Sequence, residues 1–189
     1  MTKVSHYFDI YDHYFFRFRD TSVRVLEIGV YKGGSLQMWK NYFGPRAVIY
    51  GVDIEPGCKK FEEDQIEIFI GDQSDRFFLE MLPEVDVVID DGGHRGEQQI
   101  TSMEVLLPKM PDGGIYICED VHTSFIHKYG EYKNSVVSYV QEKLITGLHN
   151  VLNGGKVPFG IHGIHIYPGM VVIEKKAIEH QHIVSSGKE

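Results

Sequence analysis

The sequence has few cysteines and no excess of positive charge, and both shortages exclude classes of protein. Two cysteines, Cys58 and Cys118, are too few for a disulfide framework, and Cys118 falls in a predicted strand as a small buried side chain. Lysine and arginine number 19 against 27 aspartates and glutamates, so the formal net charge is −8. Because phosphate contacts require a basic face, we expect no nucleic acid as the main partner.

Signals of membrane insertion and export are also missing. No run of about 18 apolar residues occurs, which argues against a transmembrane helix. Residues 1–20 carry His, Asp and Arg side chains throughout and have no apolar signal-peptide core. We therefore expect a cytoplasmic protein that does not contact a membrane, and the sequence leaves a homo-oligomer open.

The sequence does contain enough apolar material for one folded unit. It has 189 residues, of which 42% are hydrophobic, and a chain of this length buries an ample core. We predict a single domain over residues 1–189. Within residues 1–20, aromatic side chains at helical spacing over residues 4–18 predict an amphipathic helix that packs on the core. The polar residues 177–189 are predicted to form a flexible tail.

Short apolar runs and helical periodicities alternate along the chain, which is typical of a parallel sheet with right-handed crossovers. After Asp120 the rhythm changes, and one helix is predicted over residues 131–152 with an apolar stripe that reaches Leu152. Two further strands follow, separated only by Pro168-Gly169, which is too short for a crossover, so they must be antiparallel. The predicted strands are 23–30, 47–54, 66–71, 85–89, 115–118, 163–167 and 170–175, and the helices between the first five are 35–43, 74–82 (capped by Ser74) and 95–107 (ended by Pro108).

We therefore predict an α/β fold, a Rossmann-like three-layer sandwich whose seven-stranded, mostly parallel sheet ends in a C-terminal antiparallel hairpin. Ligands of such open sheets bind beyond the carboxyl ends of the strands. Residues 85–94 read VDVVIDDGGH, a buried strand followed by two carboxylates, two glycines and an imidazole. Taken alone, these polar residues are explained equally well as an Asp-Gly turn with an exposed histidine.

Polar residues at the ends of other strands favour a ligand that carries a diol and a polar base. Asp53 ends the second strand, the position at which a carboxylate holds ribose hydroxyls in such sheets. Asp72 and Gln73 follow the third strand, where they could meet an adenine edge. Each of these residues also has a simpler explanation as part of a turn. Their occurrence at consecutive strand ends favours a shared cofactor site.

The turn after the first strand reads EIGVYKGGS over residues 27–35. Its glycines let the backbone approach a ligand closely, and the start of the following helix offers free N–H groups to an anion. Gly29 and Gly33 are more widely spaced than the glycines of a GxGxxG fingerprint, which disfavours a dinucleotide. An NAD(P)-dependent Rossmann oxidoreductase remains the alternative.

The combination of these segments resembles the class I S-adenosylmethionine-dependent methyltransferases over about residues 23–175. EIGxxxGGS matches the first motif of that family, GVDI matches the second, and the hairpin IYPGM matches its terminal antiparallel strands. Within the superfamily, IDDGGH followed by GGIYICED is similar to the metal-dependent O-methyltransferases that act on sugars of macrolide antibiotics. The resemblance implies S-adenosylmethionine and Mg²⁺ as cofactors, and a sugar or glycosylated small molecule as the methyl acceptor.

The resemblance also implies a set of cofactor-binding residues. Its first motif covers the turn after the first strand, its second covers the end of the second strand, and Asp90 would lie beside the methionine part of the cofactor. The implied set is Glu27, Gly29, Gly33, Gly34, Ser35, Asp53, Ile54, Asp72, Gln73 and Asp90.

The same resemblance implies a metal centre and a general base. Asp91 and His94 have the D-x-x-H spacing of the family, and a Glu119-Asp120 pair follows the fifth strand. Neighbouring strands are about 4.8 Å apart, so a divalent cation would relieve the repulsion between their terminal carboxylates. His94 is the implied base, with Asp91 as catalytic residue and metal ligand. Adjacent residues of a strand point to opposite faces, which favours Asp91 and Asp120 as ligands and leaves the part of Glu119 open.

Two points of the resemblance stay open. The macrolide-sugar enzymes have a further acidic metal ligand before the first motif, and Asp12 is only a loose match to it. A non-catalytic module that binds S-adenosylmethionine is a third hypothesis. The intact set of Asp91, His94 and Asp120 counts against that hypothesis, because a silent module has no need of all three.

Overall fold

The computed structural model describes residues 3–176, and a seven-stranded sheet forms its centre. The strand order is β3-β2-β1-β4-β5-β7-β6, in which β1 to β5 are parallel and β7 runs antiparallel to both of its neighbours. The predicted fold class is confirmed, including the C-terminal hairpin. The strands are β1 (Arg24–Ile28), β2 (Val48–Asp53), β3 (Ile66–Ile70), β4 (Val87–Asp90), β5 (Ile115–Glu119), β6 (Ile161–Tyr167) and β7 (Met170–Lys175).

Helices cover both faces of the sheet and divide the apolar side chains into two cores. Because side chains alternate along a strand, Val87 and Ile89 of β4 pack into one core, whereas Val88 packs into the other. Within the described residues, no helix combines the length and the apolarity that a bilayer crossing requires. The helices are α1 (Tyr7–Phe15), α2 (Gly34–Phe43), α3 (Arg76–Met81), α4 (Gly96–Lys109), α5 (Val136–Tyr139) and α6 (Thr146–Asn150), and a π-helical turn (Val140–Ile145) joins the last two.

The N-terminal helix packs its aromatic face on the core, as the spacing predicts, although α1 is shorter than residues 4–18. Tyr11 stacks on Phe15 and meets the edge of Trp39 at a centroid distance of 4.9 Å. These aromatic contacts bring α1 to the carboxyl edge of the sheet, where the hydroxyl of Tyr11 reaches Glu119 of β5. The predicted tail over residues 177–189 lies outside the described residues, and the single domain over residues 1–189 stays a prediction.

The structure differs from the sequence-based expectation in the helix after β5. The single helix predicted over residues 131–152 is a 3₁₀ turn, then α5, the π-helical turn and α6. Leu144 is buried and Leu148 still packs against the core, but α6 ends at Asn150, and Leu152 lies in the 3₁₀ turn Val151–Asn153, where it is 78% exposed. The predicted cap of α3 is also wrong: Asp75, not Ser74, accepts hydrogen bonds from the first N–H groups. Ser74 instead donates to Asp72.

Candidate active site

The ends of β1, β4 and β5 meet at the carboxyl edge of the sheet and bring their polar residues together. Asp90 pairs with Ile28 on one side and with Cys118 on the other. Gly29 follows β1 with a φ of +99°, and a Cβ atom on it would collide with the carbonyl oxygen of Asp91. Glycine at this position therefore allows the two strand ends to lie side by side.

Asp91, His94 and Asp120 form a compact cluster at this edge. Ligand atoms of the three side chains lie within 4.8 Å of one another. Nε2 of His94 is 3.9 Å from Oδ1 of Asp91 and 3.8 Å from Oδ2 of Asp120. The two carboxylates, both partly exposed, fit a divalent cation that keeps some of its water, as Mg²⁺ does, and the imidazole lies beside them. Nδ1 of His94 is buried and has no hydrogen-bond partner in the described part of the chain.

Three of the six non-glycine residues with a positive φ among residues 3–176 lie at the same place. Tyr31, His94 and Asp120 have φ values of +50°, +57° and +53°, in the left-handed region that side chains with a Cβ atom rarely adopt. All three line the cavities described below. Such conformations persist where the surroundings over-determine them, and they are frequent at functional sites.

Lys3 lies beside the cluster, and the sequence alone does not point to it. Its Nζ donates to Oδ2 of Asp91 at 2.6 Å and to Oε2 of Glu119 at 2.9 Å, and is 3.9 Å from Oε1 of Glu27. The side chain is only 3% exposed. Burial alone would lower the pKa of Lys3, but the carboxylates of Glu119, Glu27 and Asp91 reverse the effect, so the pKa lies above its ordinary value.

Each strand end carries a pair of acidic residues, and the first residue of each pair, Asp90 or Glu119, directs its carboxylate away from the cluster. Asp90 is fully buried, and it accepts hydrogen bonds from Nε2 of Gln73 and from the hydroxyl of Tyr116, both at 3.0 Å. Burial raises the pKa of Asp90 to about 7. Glu119 accepts a hydrogen bond from Tyr11 at 2.6 Å as well as the one from Lys3. Burial raises its pKa too, and the Lys3 ammonium opposes that rise.

A cleft of about 520 Å³ opens beside the cluster along the strand ends. Asp53 lines it, and its carboxylate accepts hydrogen bonds from the N–H groups of Tyr31 and Glu55. Gln73 also lines it, but its amide is engaged with Asp90, Ser102 and the N–H of Gly93. The predicted site residues that line this cleft are Gly29, Asp53, Ile54, Asp72, Gln73, Asp91, His94 and Asp120.

Several residues predicted to bind the cofactor lie behind the cleft. Glu27 is fully buried, and accepts hydrogen bonds from Ser35 at 2.7 Å and from the indole of Trp39 at 3.2 Å. Burial raises the pKa of Glu27 to about 7. Gly33 has a φ of +71° and lies against the ring of Phe61. The predicted site residues outside the cleft lining are Glu27, Gly33, Gly34, Ser35, Asp90 and Glu119.

A smaller cavity of about 200 Å³ lies on the other side of His94, which lines both spaces. The ring of Tyr129 lies on its wall, 6.3 Å from the imidazole of His94 between centroids. Ser124 also lines this cavity, and its buried hydroxyl has no hydrogen-bond partner among residues 3–176. Asp12, the loose match to a further metal ligand, instead accepts a hydrogen bond from Tyr42 at 2.8 Å.

Comparison with known proteins identifies the family. Residues 26–121 match the model of a methyltransferase domain, and the chain belongs to this family. It is 32% identical to 8-demethyl-8-alpha-L-rhamnosyl tetracenomycin-C 2'-O-methyltransferase of Streptomyces olivaceus, over 88% of this chain and 49% of that protein. It is 36% identical to demethylmacrocin O-methyltransferase of Streptomyces fradiae, over 87% of this chain and 47% of that protein.

The comparison with solved structures agrees with the comparison of sequences. The chain is similar to the MycE methyltransferase from the mycinamycin biosynthetic pathway, in complex with Mg, SAH and mycinamycin VI, with a TM-score of 0.81 and 34% identity. The match covers 89% of this chain and 48% of that one. The chain therefore spans about half the length of the relatives it matches.

Proposed function

We propose that this chain is the catalytic domain of an S-adenosylmethionine-dependent, Mg²⁺-dependent O-methyltransferase that acts on a hydroxyl of a sugar or a glycosylated small molecule. The observation that carries the proposal is the position of His94. It lines both the large cleft and the small cavity, and its Nε2 faces the carboxylates of Asp91 and Asp120. Methyl transfer from a bound donor to a bound acceptor requires a place where the two binding sites adjoin.

The large cleft is the proposed site of S-adenosylmethionine, whose methyl sulfonium supplies the electrophile when it is bound. The volume of about 520 Å³ is in the ordinary range of cofactor sites. Asp53 is proposed to hold the ribose hydroxyls, as a carboxylate does at this place in similar sheets. Asp72, rather than the fully engaged Gln73, is proposed to meet the adenine edge. Glu27, Gly33, Gly34, Ser35 and Asp90 are proposed to shape this site from behind.

Asp91 and Asp120, with His94 beside them, would hold Mg²⁺, which polarises a hydroxyl oxygen when it is bound. Asp120 is the proposed ligand of the Glu119-Asp120 pair, because both oxygens of Glu119 already accept hydrogen bonds, from Tyr11 and Lys3. His94 is the proposed general base. Its Nε2 faces the carboxylates and is placed to take the proton of an acceptor hydroxyl seated there, and imidazoles accept protons near neutral pH.

The small cavity is the proposed site of the sugar. Its volume of about 200 Å³ suits one monosaccharide unit rather than a whole glycoside. Ser124 offers a buried hydroxyl without a partner among the described residues, and a polar ligand would satisfy it. Tyr129 offers an aromatic face beside His94. One relative described above is named as the 2'-O-methyltransferase of a rhamnosyl tetracenomycin, which supports an acceptor of this class.

A nicotinamide-dependent oxidoreductase is the alternative from another class. Dinucleotide-binding sheets have the order 3-2-1-4-5-6, whereas here an antiparallel β7 lies between β5 and β6. The absence of nucleic acid among the partners, the cytoplasmic location and a homo-oligomeric state stay predictions.

Two experiments test the proposal. Calorimetric titration of the protein with S-adenosylmethionine and with NAD should show binding of the first only, and binding of NAD alone would contradict it. A screen with labelled S-adenosylmethionine against nucleotide sugars, free glycosides and glycosylated natural products, with and without Mg²⁺, should find an acceptor whose methylation stops when a chelator is added.

A further inference from the structure

Within residues 3–176, no hydrogen bond orients the imidazole of His94. Its Nδ1 is buried and has no partner among these residues. Its Nε2 lies 3.9 Å from Oδ1 of Asp91 and 3.8 Å from Oδ2 of Asp120, which is beyond hydrogen-bond range. In other histidines that transfer protons, a carbonyl or carboxylate often holds the second ring nitrogen. The direction of this imidazole therefore depends on the backbone that carries it.

That backbone has a conformation that needs support from its surroundings. His94 and Asp120 have left-handed φ values of +57° and +53°, and residues with a Cβ atom keep such values only where neighbouring groups hold them. His94 lies in the turn after β4, and Asp120 directly follows β5. A contact that ties these two turns together would fix both of them, and with them the separation of the imidazole from the Asp120 carboxylate.

The side chain of Thr123 makes that contact. Its hydroxyl lies 3.2 Å from the carbonyl oxygen of His94 and 2.7 Å from that of Asp120, so the one proton of the hydroxyl is shared between the two turns. Thr123 is buried. The bond to Asp120 is local, whereas the bond to His94 joins residues 29 apart in sequence and connects the two strand ends.

We propose that Thr123 is a positioning residue that holds His94 against the carboxylate of Asp120. Its hydroxyl acts on the backbone of His94 and so replaces the ring hydrogen bond that orients other histidines. This inference rests on the proposed function, in which His94 is the general base beside the metal, and it adds the residue that keeps the base in place.

The test compares Thr123→Val, which keeps the shape of the side chain and loses the hydroxyl, with Thr123→Ser, which keeps the hydroxyl. Mn²⁺ replaces Mg²⁺ as a paramagnetic probe, because the relaxation that it causes in the ring protons of His94 falls steeply with their distance from the ion. The His94 signal is identified by its loss in His94→Ala. At saturating Mn²⁺ and without substrate, this signal should relax strongly in the wild type and in Thr123→Ser, and Thr123→Val should lose most of that effect.

Methyl transfer gives a second measurement. Misplacement of a reacting group by about 1 Å can cost about 10²-fold in rate, so kcat of Thr123→Val should fall by about tenfold to 10²-fold. Its affinity for S-adenosylmethionine should not change, and Thr123→Ser should restore kcat.

Thr21→Val is the matched control. Thr21 donates to the carbonyl of Phe18 at 2.7 Å, three residues earlier in the chain, as Thr123 does to Asp120, but it lies in the segment before β1. Both valine variants should lower the midpoint of thermal unfolding by about 2–4 °C, the effect of one hydrogen bond in a chain of this length. Only Thr123→Val should change the His94 signal and kcat. Thr123→Ala repeats the test if circular dichroism shows that Thr123→Val does not fold.

The outcomes separate this inference from the proposed function. A folded Thr123→Val protein that shows the wild-type relaxation of His94, or transfers methyl groups at the wild-type kcat, overturns the inference and leaves the proposed function standing. If Mn²⁺ does not relax His94 in the wild type, the metal site of the proposed function fails, and the inference fails with it. If relaxation differs between the wild type and Thr123→Val but the wild type transfers no methyl group, the inference is supported and the proposed function is contradicted.

Discussion

Tyr7 of α1 donates a hydrogen bond of 2.9 Å to Oδ1 of Asp120. The contact joins the N-terminal helix to a candidate metal ligand 113 residues away in sequence. The other oxygen of Asp120 faces His94. The N-terminal helix therefore helps to determine how the metal position is presented, and this has consequences that can be measured.

Tyr7→Phe should weaken divalent binding by about tenfold, because it removes the hydrogen bond that orients Asp120. It should cost only about 1 kcal/mol of stability, the usual worth of one hydrogen bond. Tyr14→Phe is the matched control, since it removes a hydroxyl of the same helix that bonds to Tyr167 instead, at 2.9 Å. Mn²⁺ titration of both variants makes the comparison. Equal affinity of the two variants for Mn²⁺ would contradict the role given to Tyr7.

Ser124→Ala should separate ligand binding from stability. Because the buried hydroxyl has no partner among residues 3–176, its removal should leave thermal stability unchanged or slightly raised. If the small cavity holds the sugar, the same change should raise the KM for the acceptor several-fold and leave the affinity for S-adenosylmethionine unchanged.

Ser135→Ala is the contrasting variant for that experiment. Ser135 lines the same cavity, but its hydroxyl caps α5 by accepting the N–H of Ser138, so its loss should cost about 1 kcal/mol of stability. Thermal unfolding and acceptor kinetics distinguish the two serines. A Ser124→Ala protein with an ordinary acceptor KM would place the sugar elsewhere.

Asp90 should make the stability of the protein depend on pH. Burial raises its pKa to about 7, whereas aspartates of unfolded chains release their proton near pH 4. Between these values the folded state binds more protons than the unfolded state, so the free energy of unfolding falls as the pH rises from about 4 to 7. The contribution of protonated Asp90 to the free energy of unfolding is fully present below about pH 4 and lost above about pH 7.

Asp90→Asn removes this titration. The variant should gain stability relative to the wild type as the pH rises through that window, by up to about 1.4 kcal/mol per pH unit, and the difference should level off above pH 7. Urea unfolding at a series of pH values, in the presence of a chelator, measures the difference. If the stabilities of the two proteins changed with pH in parallel, burial would not raise the pKa of Asp90 in the folded state.

Gly29→Ala should be far more disruptive than alanine at another glycine of similar backbone conformation. Gly113 has a φ of +85° and open space around the position of a Cβ atom, whereas a Cβ on Gly29 meets the carbonyl of Asp91. Gly113→Ala should cost about 1 kcal/mol from backbone strain alone. Gly29→Ala should cost at least about 2 kcal/mol more and should weaken S-adenosylmethionine binding. If chemical unfolding showed the same loss of stability for Gly29→Ala and Gly113→Ala, the close approach of the strand ends would be contradicted.

The sequence predicts the sheet well because its signals are local. The parallel strands follow from the alternating apolar runs, and the antiparallel hairpin follows from the short Pro168-Gly169 turn. The expectation that the fourth and fifth strands are neighbours makes the proximity of Asp91 and Asp120 predictable, whereas the full strand order is seen only in the structure. Leu152 lies outside the core because α6 ends at Asn150 and a 3₁₀ turn follows. Spacing along the sequence does not reveal where that helix ends.

Lys3 could not be predicted for a different reason. Its partners Asp91 and Glu119 are 88 and 116 residues away in sequence, and no local pattern in the sequence joins residues so far apart.

The EIGxxxGGS motif is ambiguous in its structural and functional roles. Ser35 of the motif donates a hydrogen bond to Glu27 behind the cleft, and Gly33 lies against the ring of Phe61. A motif associated with a cofactor therefore also contains residues that support the wall of the cleft.

The most direct test of the account is methyl transfer by the wild-type protein and by His94→Ala. With labelled S-adenosylmethionine and an acceptor from the glycoside screen, the wild type should transfer the label with Mg²⁺ and lose activity in chelator. His94→Ala should lose about 10²-fold or more in kcat at neutral pH while it still binds S-adenosylmethionine. Undiminished transfer in chelator, or an ordinary kcat for His94→Ala, would contradict the account.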